Sequence, residues 1–129
     1  MTLIDTSAWI EFLRRSGDLS VKGRVAAYLD TGAAAVSGPI EFELLTGARP
    51  AELDDVRTAM SFCEQLEFSP ACWRRAAEVE RELRTRGVTV PRDDVLVAAV
   101  ALEHKTPLYA RDEHFALMQT KGKLKLQLV

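Results

Sequence analysis

Cysteine is scarce in this chain, positive and negative charge nearly cancel, and no apolar run is long enough to cross a bilayer. Each shortage excludes something. The two cysteines, Cys63 and Cys72, have no CxxC spacing, which argues against a disulfide framework or a zinc knuckle. Cys63 shares a helical stripe with Leu53, Val56 and Met60, so both thiols are expected to be reduced and packed in the core. The longest apolar helix candidate, Val95 to Leu102, falls far short of a membrane span. The start, Met1-Thr2-Leu3-Ile4-Asp5, has no basic region, and Asp5 interrupts it before a signal sequence can form. A soluble, cytoplasmic protein without membrane contact is the expectation.

A net charge of −2 argues against holding nucleic acid by a broad basic surface. Any such contact must be local, at Arg14 and Arg15, Lys22 and Arg24, Arg74 and Arg75, or Arg111. The run Arg81, Arg84, Arg86 is interleaved with Glu78, Glu80 and Glu82 and reads as a solvated helix face. What the chain does have is apolar material: 47% of its 129 residues are hydrophobic, enough for one compact domain, residues 1–129, with its own core.

Apolar periodicity alternates between strand and helix. Thr2 to Asp5 reads as a short buried strand, and Thr6 as the cap of a helix through Arg15 with Trp9, Phe12 and Leu13 inward. A helix over Ser20 to Leu29, a small-residue strand Ala33 to Ser37 and a short helix from Pro39 to near Gly47 follow. Pro50 opens a helix to about Leu66. Ser69-Pro70 opens another through Arg86, whose inward stripe is Trp73, Ala76, Val79 and Leu83. Pro91 and Asp93 begin a strongly apolar helix, Val95 to His104, with Asp93 expected as its N-cap. A brief strand at Pro107 to Ala110, a helix from Asp112 to Met118 and an edge strand from Lys123 to Val129 complete the chain. Strands alternating with helices predict an α/β architecture with a mainly parallel sheet, whose sites lie beyond the carboxyl ends of its strands.

That rule singles out four acids. Asp5 ends the first strand, Asp112 follows the strand at Leu108 to Ala110, Glu43 lies in the helix after the second strand, and Asp94 opens the apolar helix, facing its positive dipole end. Two carboxylates about 4 Å apart repel by roughly 4 kcal/mol at an effective dielectric near 20, so such a cluster must take up protons or bind metal. Hard oxygen donors with no Cys or His among them select Mg²⁺, or Mn²⁺ in its place, over zinc. Such a centre supplies an activated water for attack on a phosphodiester.

The segments Leu3-Ile4-Asp5-Thr6-Ser7-Ala8-Trp9, Glu43-Leu44-Leu45-Thr46-Gly47, Asp94-Val95-Leu96-Val97-Ala98-Ala99 and Ala110-Arg111-Asp112-Glu113-His114-Phe115 together resemble the PIN domain, and within it the VapC-type ribonuclease toxins. The resemblance implies a PIN-like three-layer α/β/α sandwich, and a metal-binding acidic site of Asp5, Glu43, Asp94 and Asp112. It implies that Ser7 orients the first carboxylate or a water. It further implies an endoribonuclease acting on tRNA, rRNA or mRNA, a VapB-type antitoxin as partner, and a homodimer. Many relatives have another Asp where this chain has His114, so a second metal is expected to be held less firmly. Arg111 stands before the fourth acid, either to contact phosphate or to offset the cluster's charge.

Competing readings remain at this level. Glu41 rivals Glu43, and only the E-x-x-x-G match to Gly47 favours the latter. Asp112 can serve as a helix cap. His104 and His114 suggest a metal-free ribonuclease working by general acid and base, although each also fits an ordinary helix-end position. Trp9, Ile10, Phe12 and Leu13, with the helix after Pro50, offer a groove for an amphipathic partner helix, so RNA or partner binding without turnover is a third possibility.

Overall fold

The computed structural model describes all 129 residues. Four short strands form one wholly parallel sheet in the order β3-β2-β1-β4: β1 (Thr2–Ile4), β2 (Ala34–Ser37), β3 (Glu64–Leu66) and β4 (Leu108–Tyr109). β1 and β2 are buried along their whole length, as expected of parallel strands covered on both faces. β3, at an edge, exposes Glu64 and Gln65.

Between β1 and β2 lie α1 (Thr6–Leu13) and α2 (Leu19–Asp30). Between β2 and β3 lie α3 (Gly38–Gly47), a 3-10 turn (Pro50–Glu52) and α4 (Leu53–Ser61). α5 (Pro70–Thr85) and α6 (Arg92–Glu103) lead to β4, and α7 (Glu113–Thr120) follows it. The chain steps from β1 to β2 to β3 in one direction, then returns past β1 to β4. Right-handed crossovers therefore place α1 to α4 on one face of the sheet, and α5 and α6 on the other. The packing agrees: α1 meets α2 and α3, α3 meets α4, and α5 lies along α6. The reversal falls between β1 and β4, and it opens a crevice beyond their carboxyl ends.

Several local expectations are corrected. Asp5, not Thr6, caps α1, because its carboxylate accepts the Ser7 N–H; the helix stops at Leu13 rather than Arg15. Asp93 does not cap α6; Pro91 holds the N-cap position and Asp93 lies in the first turn. The single helix expected from Pro50 to Leu66 is a 3-10 turn, α4 and then β3. Residues 64–66 pair with Ala35, Val36 and Ser37, and the Ser37 hydroxyl donates to the Leu66 carbonyl at 2.8 Å. Tertiary pairing has overridden the local helical pattern there.

Cys63 accordingly sits at the end of α4, half-buried rather than in the core, with its thiol pushed up to about 11 by burial; Cys72 is fully buried. On α5 the inward stripe is Cys72, Ala76, Val79 and Leu83, whereas Trp73 is 59% exposed and packs edge-on against Phe68. The last strand is reduced to one parallel bridge between Leu108 and Leu128. Lys123 takes a left-handed φ of 58°, so the chain turns where strand was expected, although Leu126 still faces the core.

Candidate acidic site

Each of the four acids is positioned by an element boundary. Asp5 follows β1 directly, and its N–H donates to the Tyr109 carbonyl of β4, which locks the two strand ends together. Only 3% of Asp5 is accessible, and Oδ2 accepts from both the Ser7 N–H (3.0 Å) and the Ser7 hydroxyl (2.6 Å). Burial nonetheless raises the Asp5 carboxyl above its usual range, against the lowering by Ser7, and the charge of Asp112 adds to the rise. The Ser7 oxygen also accepts the Arg111 N–H at 2.9 Å. Ser7 thus joins the β1 end to the loop after β4.

Asp94 occupies the first turn of α6, 9% accessible, and its carboxyl is pushed up to about 6, mainly by burial and further by the charges of Asp112 and Asp5. Asp112 is the N-cap of α7, accepting the His114 N–H at 2.8 Å, so its capping role and its place in the cluster coexist. Glu43 reaches across from α3 and accepts from the Thr6 hydroxyl at 3.0 Å. Burial raises its pKa, and Asp93, Asp5 and Asp94 raise it further by repulsion. Glu41, the rival candidate, instead accepts from the Gln65 amide at 3.3 Å beside the β3 edge. The fold therefore brings Asp5, Glu43, Asp94 and Asp112 into one electrostatic neighbourhood and leaves Glu41 outside it.

His114 was expected in an exposed first turn, and it lies among the acids. Its Nδ1 stands 2.8 Å from Asp94 Oδ2 and 2.9 Å from Asp112 Oδ1. Those two carboxylates raise its pKa, the Asp94 hydrogen bond most of all. The signal in the sequence was its position two residues after a capping Asp, which turns the side chain back over the cap. Arg111 points away from the cluster, pairing with Asp18 at 2.9 Å, the residue that caps α2. Its charge is thus paired outside the four acids, which speaks against the charge-offsetting alternative and not against the other, contact with phosphate.

The donor set fits a divalent cation. Ligand atoms of Asp94, Asp112 and His114 all lie within 4.8 Å of one another, and the neighbouring Asp5 and Glu43 have raised pKa values of the kind that a cation relieves.

Residues 2–121 match the PIN domain family. The chain belongs to that family. Ribonuclease VapC11 of Mycobacterium tuberculosis and VapC ribonuclease Mb1587 of Mycobacterium bovis are each 34% identical to this PIN domain over 123 residues, 89% of both chains. The fold is shared with chains of solved VapBC and FitAcB structures. DNA-bound VapBC from Salmonella typhimurium superposes with a TM-score of 0.81 at 16% identity, over 99% of this chain and 96% of that one. FitAcB from Neisseria gonorrhoeae gives 0.79 at 18% identity, with the same coverage. No helix of this PIN domain is long and apolar enough to cross a membrane.

Proposed function

We propose that this PIN domain is an endoribonuclease dependent on a divalent cation, Mg²⁺ or Mn²⁺ in its place, a VapC-type toxin that cleaves cellular RNA to restrict translation and growth. The observation that carries the reading is the convergence of Asp5, Glu43, Asp94 and Asp112 at the β1/β4 crevice, in a chain 34% identical to proteins named as ribonucleases. A divalent cation bound there supplies positive charge to polarise a phosphodiester and activate water. Asp5 and Asp94 are its principal ligands, with Glu43 and Asp112 completing the set. Ser7 holds the Asp5 carboxylate in one orientation, and Thr6 does the same for Glu43. The half-buried position keeps these carboxylates preorganised rather than dispersed in water.

The paired-histidine alternative fails on geometry. His104 ends α6 and contacts the Glu67 carbonyl, whereas His114 contacts Asp94 at the start of the same helix. At 1.5 Å per residue the two contact points are about 15 Å apart, too far for one acid and one base at a single phosphate.

The partner reading rests on a groove of about 320 Å³ that runs from Thr6 and Glu43 past Ile10, Leu13, Leu44 and Val56. Lined by apolar and charged side chains together, and by Glu43 of the acidic set, it suits an amphipathic segment of a VapB-type antitoxin that covers the site. The toxin is proposed to act as a homodimer within that complex.

The test is cleavage of total cellular RNA with end sequencing. Cleavage leaving 5′-phosphate and 3′-hydroxyl ends, abolished by EDTA and restored by Mg²⁺, is expected, with Asp94→Asn inactive yet folded. Cleavage that survives both EDTA and Asp94→Asn overturns the proposal.

A further inference from the structure

One nitrogen stands among the oxygens of the acidic site. We infer that His114 ligates the cation directly through Nδ1, making a mixed nitrogen and oxygen set that favours Mn²⁺ and later transition metals over Mg²⁺. The inference rests on the reading that the acids hold a divalent cation.

The distances from Nδ1 are compatible with a ligand set, and all three donor atoms lie within 4.8 Å of one another. In an octahedral ion with bonds of about 2.1 Å, neighbouring donor atoms lie about 3.0 Å apart. Nδ1 is 2.8 Å from Asp94 Oδ2 and 2.9 Å from Asp112 Oδ1. A tetrahedral zinc with bonds of about 2.1 Å separates its donors by about 3.4 Å, a looser match. As a hydrogen-bond donor, Nδ1 has one proton for two carboxylate oxygens. A cation among the three atoms engages them all.

The ring is also held in place and free to ligate. The His114 N–H donates to Asp112 Oδ1, which fixes the first turn of α7 against the same carboxylate that the ring faces. Nε2 has no protein partner, and 39% of the side chain is exposed, so Nε2 can carry the ring's single proton towards water while the Nδ1 lone pair faces inward. Imidazole suits first-row transition ions, Mn²⁺ least among them but still more than Mg²⁺, so a nitrogen donor in the set shifts selectivity away from Mg²⁺ without removing the site.

The experiment uses the full chain, stripped of metal and titrated with Mn²⁺ alone, and reads pulsed EPR. Bound Mn²⁺ is expected to show coupling to one histidine nitrogen. That coupling changes from the ¹⁴N to the ¹⁵N pattern when histidine alone is isotopically labelled, a readout that needs no substitution. His104, at the far end of α6, is too distant to contribute. The coupling is lost in His114→Ala. In His114→Asp the preference for Mn²⁺ over Mg²⁺, measured by competition, falls by about tenfold or more. Mn²⁺ bound without nitrogen coupling overturns ligation by His114 and leaves the acidic metal site standing. Failure of the chain to bind either ion overturns both.

Discussion

The hydroxyl of Ser7 donates to Asp5 Oδ2 across 2.6 Å, and the Ser7 hydroxyl oxygen itself accepts the backbone N–H of Arg111 from the far end of the chain. One small side chain thereby fixes a buried carboxylate and the loop that carries Asp112. Ser7→Ala leaves the Arg111 N–H without its partner and removes one of the two bonds that orient Asp5. A stability loss of about 1–3 kcal/mol is expected by denaturant titration. RNA cleavage should fall about 10–100-fold, as for residues that orient metal ligands. Wild-type rates in the alanine variant would contradict a positioning role.

The acids and His114 make stability depend on pH in a definite direction. Asp94 titrates near 6 in the folded chain against 3.8 as its ordinary value, so the folded state binds that proton more tightly than the unfolded state. The contribution is fully present below about pH 4 and is lost as pH rises through 6. His114 is also raised, from 6.5, so its contribution is present below that value and is lost at higher pH. Metal-free protein should therefore show a contribution to Tm from this site that falls from about pH 4 through 6 as Asp94 ionises, and falls further above 6.5 as His114 loses its proton. Saturating divalent cation should flatten the slope by replacing the protons as the source of positive charge. Calorimetry with EDTA and with metal provides the comparison, and equal slopes would show that the ion does not occupy this cluster.

Gly17 tests the turn that supports Arg111. A Cβ built there would stand 1.7 Å from the Glu11 carbonyl oxygen, so any side chain forces the backbone between α1 and α2 to move. Asp18, the next residue, both caps α2 and pairs with Arg111. Gly17→Ala is expected to destabilise by about 1–3 kcal/mol. Thermal melts read the loss directly, and an unchanged Tm would mean that the turn is looser than its geometry.

The groove beside the acids offers a separation of binding from catalysis. Ile10 is 47% exposed and lines that groove without contributing to the core cluster. Ile10→Asp should fold normally and cleave RNA at near the wild-type rate. Its affinity for the antitoxin, measured by calorimetry with the cognate partner, should drop by about tenfold or more. Undiminished affinity would place the partner elsewhere.

Much of this molecule is legible in its sequence because buried parallel strands leave continuous apolar runs. Leu3-Ile4 before Asp5, and Leu108-Tyr109 shortly before Asp112, reveal both the sheet and the edge at which acids collect. The helix α6 likewise declares itself through the apolar run from Val95 to Ala101. β3 does not, because Glu64 and Gln65 on an exposed edge carry no alternation, and only pairing with β2 makes them a strand. Trp73 misleads for a related reason: hydrophobicity suggests burial, but helix register assigns the inward place to Cys72. In the site, Asp5 and Asp94 follow from element ends, whereas Glu43 is favoured over Glu41 only by the match to Gly47, and the contact that positions it comes from Thr6, 37 positions away in the chain. His114 stands in the sequence where many relatives carry a further acid, but its contacts do not follow from that, because its partners Asp94 and Asp112 belong to different elements.

The adjacency of β1 and β4 gives the site a sequence span nearly as wide as the chain, with Ser7 and its Arg111 partner 104 positions apart. A ribosome making this protein releases Asp5 and Glu43 early, and the other half of the cluster only at the end. The acidic site is thus incomplete for almost the whole of synthesis, and whatever chemistry it supports begins only when the last strand slots in beside the first.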